Sequence, residues 1–115
     1  MRTGPTNPNL QKLIINLKSQ KAKIWKRVAR ELERPTRERR EVNLSRLEHF
    51  ANEKDIVLVP GKVLGGGILT KSLQVAALTF SKTAKDKILN AKGKVMSITE
   101  LMEKNPKGTG IKLLG

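Results

Sequence analysis

The chain has 115 residues, which is enough for one domain and leaves little room for a second. It contains no cysteine and one histidine, which excludes disulfides, thiolate metal sites and a zinc site built from imidazoles. It has 24 lysine and arginine residues against 10 acidic ones, a net charge of +14, and it contains no apolar run long enough to cross a bilayer.

The charge predicts a polyanionic partner, and a nucleic acid is the densest regular polyanion. Residues 1–40 carry 12 basic and 3 acidic side chains, whereas residues 41–115 carry 12 and 7. Only 3% of the residues are aromatic, which disfavours stacking of single-stranded bases on several rings. Backbone and shape are therefore the expected targets. With no signal peptide evident, we expect a soluble intracellular protein.

Two apolar stripes predict helices within the first 40 residues. The first stripe follows a candidate N-cap, Asn7, and repeats at Leu10, Leu13, Ile14 and Leu17. The second consists of Trp25, Val28, Ala29 and Leu32, which makes the tryptophan a core residue. Polar residues 19–21 favour two helices or one bent helix, closed by Pro35. The face opposite the second stripe is a candidate phosphate-binding surface: Lys23, Lys26, Arg27, Arg30 and Arg34.

Residues 34–51 change from a basic linker into structure. The linker suits an extended segment lying along phosphates. Ser45 and Glu48 fit a capping box at the start of a short helix that carries Leu47. His49 lies in the same helix and is expected to be a surface or satisfied residue, because no nucleophile or ligand is near it in sequence.

Beyond Asp55 the hydrophobic period shortens. The first predicted elements are a buried strand at 56–59, ended by Pro60-Gly61, and a strand at 73–80, for which a helix is the alternative. A helix at 82–90 and a strand at 95–98 follow. The last two are a short helix stopped by Asn105-Pro106 and a strand at 111–114. Three features mark the helix ends: Ser81 as N-cap, Gly93 as the stop of that helix, and Ser97 with Glu100 as a capping box.

The stretch GKVLGGGILTKS at residues 61–72 resembles a phosphate-binding loop only superficially. A mononucleotide loop needs a glycine immediately before its Lys-Ser pair, and Thr70 stands there instead. The dinucleotide fingerprint fails at the same threonine, and the strand before the stretch supplies no aspartate for a metal. These failures argue against nucleotide turnover.

Two interpretations of the glycines remain open. In the first, three glycines make a tight reversal of the chain and nothing more. In the second, the missing side chains let backbone amides approach an RNA backbone closely, with charge supplied from both sides. The candidate contact residues of this second interpretation are Lys62, Gly65, Gly66, Gly67 and Lys71.

Three segments carry a family resemblance: RxVNLSRL at residues 40–47, VPGKVLGGG at 59–67 and FSxxAKxKI at 80–88. Together they resemble the archaeal and eukaryotic large-subunit ribosomal protein eighteen family, over essentially the whole chain. That family is similar in fold to the C-terminal part of bacterial large-subunit ribosomal protein fifteen. The compact length resembles the archaeal members. The resemblance implies an α/β fold in which N-terminal helices precede an irregular β-β-α layered, superhelical core of short strands and helices.

The resemblance also implies a cytoplasmic structural constituent of the large ribosomal subunit, with no catalytic activity and no cofactor. Expected partners are large-subunit ribosomal RNA and neighbouring ribosomal proteins, and no membrane or small-molecule substrate is expected. One domain is expected, divided into a basic helical part at 1–40 and a core at 41–115. The family's RNA-facing motifs map onto Arg37, Arg39, Arg40, Arg46, Lys62 with the glycines, Ser81, Lys82 and Lys85.

The alternative to a ribosomal role is a DNA-binding architectural protein, which the same charge would suit. The sequence offers this alternative no helix-turn-helix, zinc finger or intercalating wedge.

Overall fold

Helices and strands alternate along most of the chain in the computed structural model, which describes residues 8–33 and 40–114. The helices are α1 Pro8–Ser19, α2 Lys23–Leu32, α3 Leu44–Phe50, α4 Lys82–Asn90 and α5 Ile98–Lys104. The strands are β1 Arg40–Asn43, β2 Ile56–Leu64, β3 Gln74–Phe80, β4 Lys94–Ser97 and β5 Ile111–Leu113.

The five described strands form one parallel sheet in which β2 is central. One edge of β2 pairs with β3, and β4 lies on the far side of β3. The other edge of β2 pairs with β5 along its first residues and with β1 along its last ones. Every β-strand therefore points the same way, and helices α3, α4 and α5 begin directly where β1, β3 and β4 end.

Two hydrophobic clusters lie on opposite faces of this sheet. In β2, Val57 and Val59 belong to the cluster that also contains residues of α3 and α4. Leu58, between them, belongs to the cluster formed with α1, α2 and α5. Successive side chains of a strand point to opposite faces, so one buried strand supplies both clusters. The prediction of N-terminal helices followed by a layered core of short strands and helices is confirmed.

Both N-terminal apolar stripes are packed inward, as predicted. Leu10, Ile14 and Leu17 are buried along α1, and all four residues of the second stripe are buried along α2. The helices are separate, because α1 ends at Ser19 and α2 begins at Lys23. The Trp25 side chain is fully buried and its indole N–H donates to the Pro106 carbonyl oxygen at 2.8 Å. The predicted cap Asn7 and stop Pro35 lie outside the described residues.

The prediction that Pro60-Gly61 ends a strand is wrong. β2 continues through both residues to Leu64, and its register with β3 shifts between Val59 and Lys62. Proline lacks an N–H and is tolerated in a sheet at such an irregularity. Both residues are buried, and Gly61 pairs with Arg40 of β1, so the strand continues although its ladder with β3 is interrupted there.

Two cap predictions are also wrong. Helix α3 begins at Leu44 after Asn43, and the Ser45–Glu48 capping box is not formed because the Glu48 carboxylate instead accepts hydrogen bonds from Thr70. After α4 the left-handed residue is Lys92, with φ 65°, rather than Gly93. Gly93 is needed for a different reason, since a Cβ there would collide with the Leu73 carbonyl oxygen.

The remaining predicted elements are confirmed with small shifts of boundary. Residues 74–80 form a strand rather than a helix, and Ile98 opens α5 instead of closing β4. The Ser81 hydroxyl caps α4 by accepting from the Ala84 amide at 3.1 Å. Ser97 and Glu100 form the predicted capping box at the start of α5.

Candidate nucleic-acid interface

The carboxyl edge of the sheet gathers most of the predicted contact residues of the core. In the register of the sheet, Asn43 lies beside Leu64 and Val63 lies beside Phe80. The start of α3, residues 65–67 and the start of α4 therefore meet at one edge. Ligands of open parallel α/β sheets bind at this edge, because loops and helix starts converge there.

Residues 65–67, the glycine segment, are packed tightly against this protein's own helices. A Cβ at Gly65 would lie 2.6 Å from the Thr83 methyl carbon, and one at Gly66 would collide with the Asn43 amide oxygen. Gly67 has φ +88°, a left-handed conformation that favours glycine. Internal close approach thus explains all three glycines. Because β2 and β3 are parallel, the segment does not form a hairpin reversal.

The carbonyl oxygens of the glycine segment are held by internal donors. The Lys87 ammonium donates to the Gly65 oxygen at 2.8 Å and to the Gly67 oxygen at 2.9 Å. The Gly66 oxygen accepts from the Ser45 amide at 3.0 Å, and the Gly66 amide donates to the Asn43 side chain at 3.1 Å. A cation and a polar side chain therefore fix the segment in one conformation, and the Gly66 amide is already occupied.

Residues 70–72 are held by carboxylates where a nucleotide-binding loop would hold phosphates. The Thr70 amide donates to Glu48 Oε1 at 3.0 Å, and the Ser72 amide donates to Glu53 Oε1 at 2.8 Å. The Lys71 ammonium donates to the Glu48 carbonyl oxygen and to the Ala51 carbonyl oxygen, the latter at 2.8 Å. The amides and hydroxyls of Thr70 and Ser72 and the ammonium of Lys71 are thus committed to the fold and are not available to a phosphate.

The Glu48 carboxyl has a lowered pKa in this arrangement. The hydrogen bond from the Thr70 hydroxyl is the largest cause, followed by the bond from the Thr70 amide, and nearby Lys71 adds to the effect. Each of these interactions favours the ionised carboxylate. At neutral pH the residue is a fixed anion beside Lys71, which further opposes the approach of a phosphate.

The basic face of α2 lies open to solvent. Lys23, Lys26, Arg27 and Arg30 are exposed, while the opposite face of the helix is buried. Within residues 8–33 and 40–114 none of these four cations has a carboxylate partner, whereas Lys18 pairs with Glu33 at 2.9 Å. Exposed cations without internal partners are available to a polyanion.

A second group of exposed cations lies along or near the carboxyl edge. Arg46 is in the first turn of α3, Lys82 and Lys85 are in the first half of α4, and Lys62 is near the end of β2. Ser81 is half-buried and its hydroxyl is used as the cap of α4. The sheet register thus brings together basic residues that are up to 39 positions apart in sequence, Arg46 and Lys85.

Part of the predicted contact set lies outside the described residues: Arg34, Arg37 and Arg39. The backbone of Arg40 begins β1, where it pairs with Gly61, but its side chain is not among those described. The basic linker therefore stays a prediction. The structure describes only what precedes and follows it in sequence, the last turn of α2 and the edge strand β1.

Sequence reasoning missed the two residues that shape the glycine segment, Lys87 and Asn43. The lysine gave no signal, because its spacing from the glycines reflects only the way α4 packs. Asn43 did give one, since asparagine is a favoured N-cap and directly precedes an apolar helix start. Its side chain bonds across to Gly66 instead of capping α3.

The described residues contain neither a metal-binding cluster nor a membrane-spanning helix. No group of three or more His, Asp or Glu side chains in the described part of the chain could hold a metal ion. None of the helices described is both long enough and apolar enough to span a bilayer.

The sequence of residues 8–115 matches the model of the family described as "Ribosomal protein 60S L18 and 50S L18e". The chain belongs to this family. The match confirms the resemblance inferred from the three motifs. The family consists of ribosomal structural proteins, so membership also confirms that the chain is not an enzyme.

Several archaeal relatives support the assignment over nearly full length. The chain is 50% identical over 113 residues to "Large ribosomal subunit protein eL18" of Methanothermobacter thermautotrophicus, covering 95% of this chain and 93% of the relative. The proteins of the same name from Archaeoglobus fulgidus and Methanoregula boonei are 49% and 47% identical over 113 residues, again 95% of this chain. These two alignments span 97% of the Archaeoglobus fulgidus protein and 93% of the Methanoregula boonei protein.

Proposed function

We propose that the chain binds large-subunit ribosomal RNA through two basic surfaces, the exposed face of α2 and the carboxyl edge of the sheet. As a member of its family, the chain is a structural constituent of the large ribosomal subunit and is associated with the ribosome. The proposal adds the surfaces and the chemistry by which it is held there.

The observation that carries the proposal is the accumulation of exposed cations without internal partners. Eight of the predicted contact residues are exposed and lack an ion pair within the described part of the chain: Lys23, Lys26, Arg27, Arg30, Arg46, Lys62, Lys82 and Lys85. With a net charge of +14, such side chains repel one another in the free protein. Neutralisation by phosphates relieves that repulsion and releases counterions from the RNA.

The glycine segment plays an indirect part in this proposal. Its backbone is hydrogen-bonded to Lys87, Asn43 and Ser45, so it is held in one conformation between the starts of α3 and α4. The cations Arg46 and Lys82 lie in the first turns of these two helices. We therefore assign phosphate contact to these flanking cations and support of their positions to the glycines and Lys71.

The remaining assignments follow from this proposal. We take the chain as one domain, and the contribution of the central strand β2 to both hydrophobic clusters of the described residues supports this. The basic linker at 34–40 is assigned to contact with RNA, and neighbouring ribosomal proteins contact other faces. The protein is placed in the cytoplasm with the ribosome.

A salt titration tests the proposal. Purified protein and large-subunit ribosomal RNA are mixed at increasing potassium chloride, and the dissociation constant is measured by filter binding. If about six cations meet phosphates, affinity falls roughly a thousandfold between 50 and 200 mM salt. An affinity that does not respond to salt would contradict the proposal.

Competition separates the ribosomal role from DNA binding. Labelled large-subunit RNA is bound at a fixed salt concentration, and unlabelled duplex DNA of equal phosphate content is added. We expect structured RNA to compete far better than the duplex, because the two surfaces are fixed relative to the sheet and match one folded shape. Equal competition would instead favour the architectural DNA-binding alternative.

A further inference from the structure

An open groove lies at the carboxyl edge where β3 extends past β4. The last pair between these strands is Ala77 with Ser97, and β3 continues for three more residues to Phe80. Among the described strands, nothing pairs with that side of residues 78–80. The groove there has a volume of about 440 Å³.

The lining of this groove combines an apolar surface, a cation and an anion. Phe80 is half-buried, and Met96 adds a flexible apolar side chain beside it. Lys85 comes from α4, one turn after its cap. Glu100 comes from the first turn of α5. Four elements, β3, β4, α4 and α5, thus bring these side chains into one concave site.

The Glu100 carboxylate has acceptor capacity left within the groove. It accepts one long bond, from the Ser97 amide to Oε1 at 3.3 Å, as part of the capping box. An ionised carboxylate offers about four lone-pair positions on its two oxygens. The residue is exposed, so further donors can reach it. A ligand with an N–H donor on a planar edge would be held in this position.

We propose that the groove holds one unpaired RNA base that carries an exocyclic amino group. The base would lie against Phe80, donate its amino group to Glu100 and leave its 5′ or 3′ phosphate beside Lys85. Adenine, guanine and cytosine meet this requirement, whereas uracil has no such donor. This inference rests on the proposed binding of ribosomal RNA and adds to it a site that reads a base.

The positive charge near the groove favours a nucleotide, and not a protein side chain, as its occupant. Lys85 lines the groove and is exposed, and Lys82, also exposed, precedes it by three residues on α4, in a protein of net charge +14. A phosphate satisfies these cations, while the base covers the apolar wall behind them. The base must be unpaired and unstacked, because the face of a base inside an A-form helix is covered by its neighbours and cannot lie against Phe80.

A single site is consistent with the scarcity of aromatic residues. Phe50 and Phe80 are the only phenylalanines, and Trp25 is fully buried. The protein therefore lacks the row of rings that binds successive bases of a single strand. One ring beside one carboxylate suits a base that protrudes from a folded RNA.

Chemical probing of the RNA tests the site. The intact protein is bound to large-subunit ribosomal RNA, and Watson–Crick edges are probed with dimethyl sulfate for adenine and cytosine and with kethoxal for guanine. Hydroxyl radicals report the sugar–phosphate footprint in parallel. With the unmodified protein, one unpaired base inside the footprint should become protected.

Two substitutions remove the site in different ways. Glu100→Gln keeps a residue that suits a capping box but removes the carboxylate, and it should restore reactivity of that one base while the footprint persists. Phe80→Leu keeps an apolar side chain but removes the ring, and it should weaken binding about tenfold. Glu103→Gln, also exposed on α5 but outside the groove, should leave both the protection and the affinity unchanged.

The outcomes separate this inference from the proposed function. No footprint with the unmodified protein would remove the proposed function, and the base site with it. A normal footprint whose protected bases are the same in Glu100→Gln would overturn the base site alone. A thermal unfolding midpoint unchanged in Glu100→Gln establishes that its effect is local even if Phe80→Leu unfolds.

Crosslinking within assembled subunits tests the occupant directly. A photoreactive p-benzoylphenylalanine replaces Thr79, an exposed residue that lines the groove. The expected product joins residue 79 to a single ribosomal RNA nucleotide. A crosslink to another protein, or no crosslink to RNA, would overturn the proposal.

Discussion

Segment 65–72 and the exposed face of α2 use lysine and arginine in opposite ways. In the segment, Lys71 donates to backbone carbonyls, and Lys87 of α4 does the same from outside it. On α2, four cations have no internal acceptor within the described residues. Net charge therefore overstates the number of cations that a partner can use, because some of them hold the fold together.

The largest effect is expected from the open face of α2. Replacing Lys26, Arg27 and Arg30 together by glutamine should weaken ribosomal RNA binding about a hundredfold at 100 mM salt, because three phosphate contacts and their released counterions are lost. Filter binding measures the affinity. The urea unfolding curve should change little, since all three side chains are exposed.

A charge-matched variant sharpens that test. The control replaces Lys94, Lys104 and Lys107 by glutamine and so removes the same net charge. These three lysines are exposed and lie outside both proposed surfaces. We expect a much smaller loss of affinity. Equal losses in the two triple variants would show that overall charge, and not the face of α2, governs binding.

The next largest effect concerns the packing of the glycine segment. Gly65→Ala places a Cβ within 3.0 Å of both Thr83 and the Ala84 amide, so α4 must shift. Overpacking of this kind should lower the free energy of unfolding by about 2 to 3 kcal/mol. Urea denaturation followed by circular dichroism measures the loss.

Gly110→Ala serves as the control for that substitution. Unlike Gly65, Gly110 has a positive φ, +75°, and a Cβ there would meet no atom within 4 Å. Only backbone strain is expected, at a cost of about 1 kcal/mol. If the two variants lost equal stability, the close approach of Gly65 to α4 would not be the reason for its glycine.

Lys85 and Lys87 of α4 test, within one helix, the difference between an exposed cation and one that is hydrogen-bonded to the fold. Lys87→Met removes the donor to two carbonyl oxygens and should cost about 2 kcal/mol of unfolding free energy. Lys85→Met removes an exposed ammonium and should change stability by less than about 0.5 kcal/mol. Chemical denaturation of both variants measures the difference.

The same pair should behave in the reverse way toward RNA. For Lys85→Met, the slope of log affinity against log salt should fall by about one phosphate contact. For Lys87→Met, the slope should stay unchanged in the fraction that is folded, because its ammonium already has acceptors. A reduced slope for Lys87→Met would mean that it contacts phosphate.

The smallest effect is a pH dependence at segment 65–72. The pKa of Glu48 is lowered below its ordinary value of 4.5, chiefly by the Thr70 hydroxyl. A carboxyl whose pKa is lower in the folded state stabilises the fold above the unfolded pKa, and this contribution is lost as the pH falls through the folded value. Stability should therefore decline as the pH drops below about 4.5.

Glu48→Gln should flatten that decline, because the amide oxygen still accepts from Thr70 but no longer takes up a proton. Unfolding midpoints measured from pH 6 downward report the effect. Glu103→Gln, an exposed acid of α5, is the control and should retain the original pH profile. A profile for Glu48→Gln that matches the original would contradict the assignment.

Much of the fold was predictable because it depends on local patterns. The stripes of α1 and α2, the cap at Ser81 and the capping box at Ser97 each involve residues within a few positions of one another. Such signals act before any tertiary contact forms. The family motifs then indicated the fold class, which the match over residues 8–115 supports.

The errors came where a distant group competed with a local one. Ser45 and Glu48 have the spacing of a capping box, but Thr70 offers two donors to the carboxylate from 22 positions away. Pro60 and Gly61 look like a strand end, yet β1 and β3 hold both sides of β2 around them. Local propensity is weak enough for such partners to override it.

The sequence alone determined that this protein is a polycation with two N-terminal amphipathic helices and an α/β core, because charge and hydrophobic period belong to the residues themselves. Only the tertiary structure shows which cations remain available to a partner and why residues 65–67 must be glycine. The parallel register brings α3, the glycine segment and α4 to one edge. Hydrogen bonds across that edge depend on distances that no sequence spacing specifies.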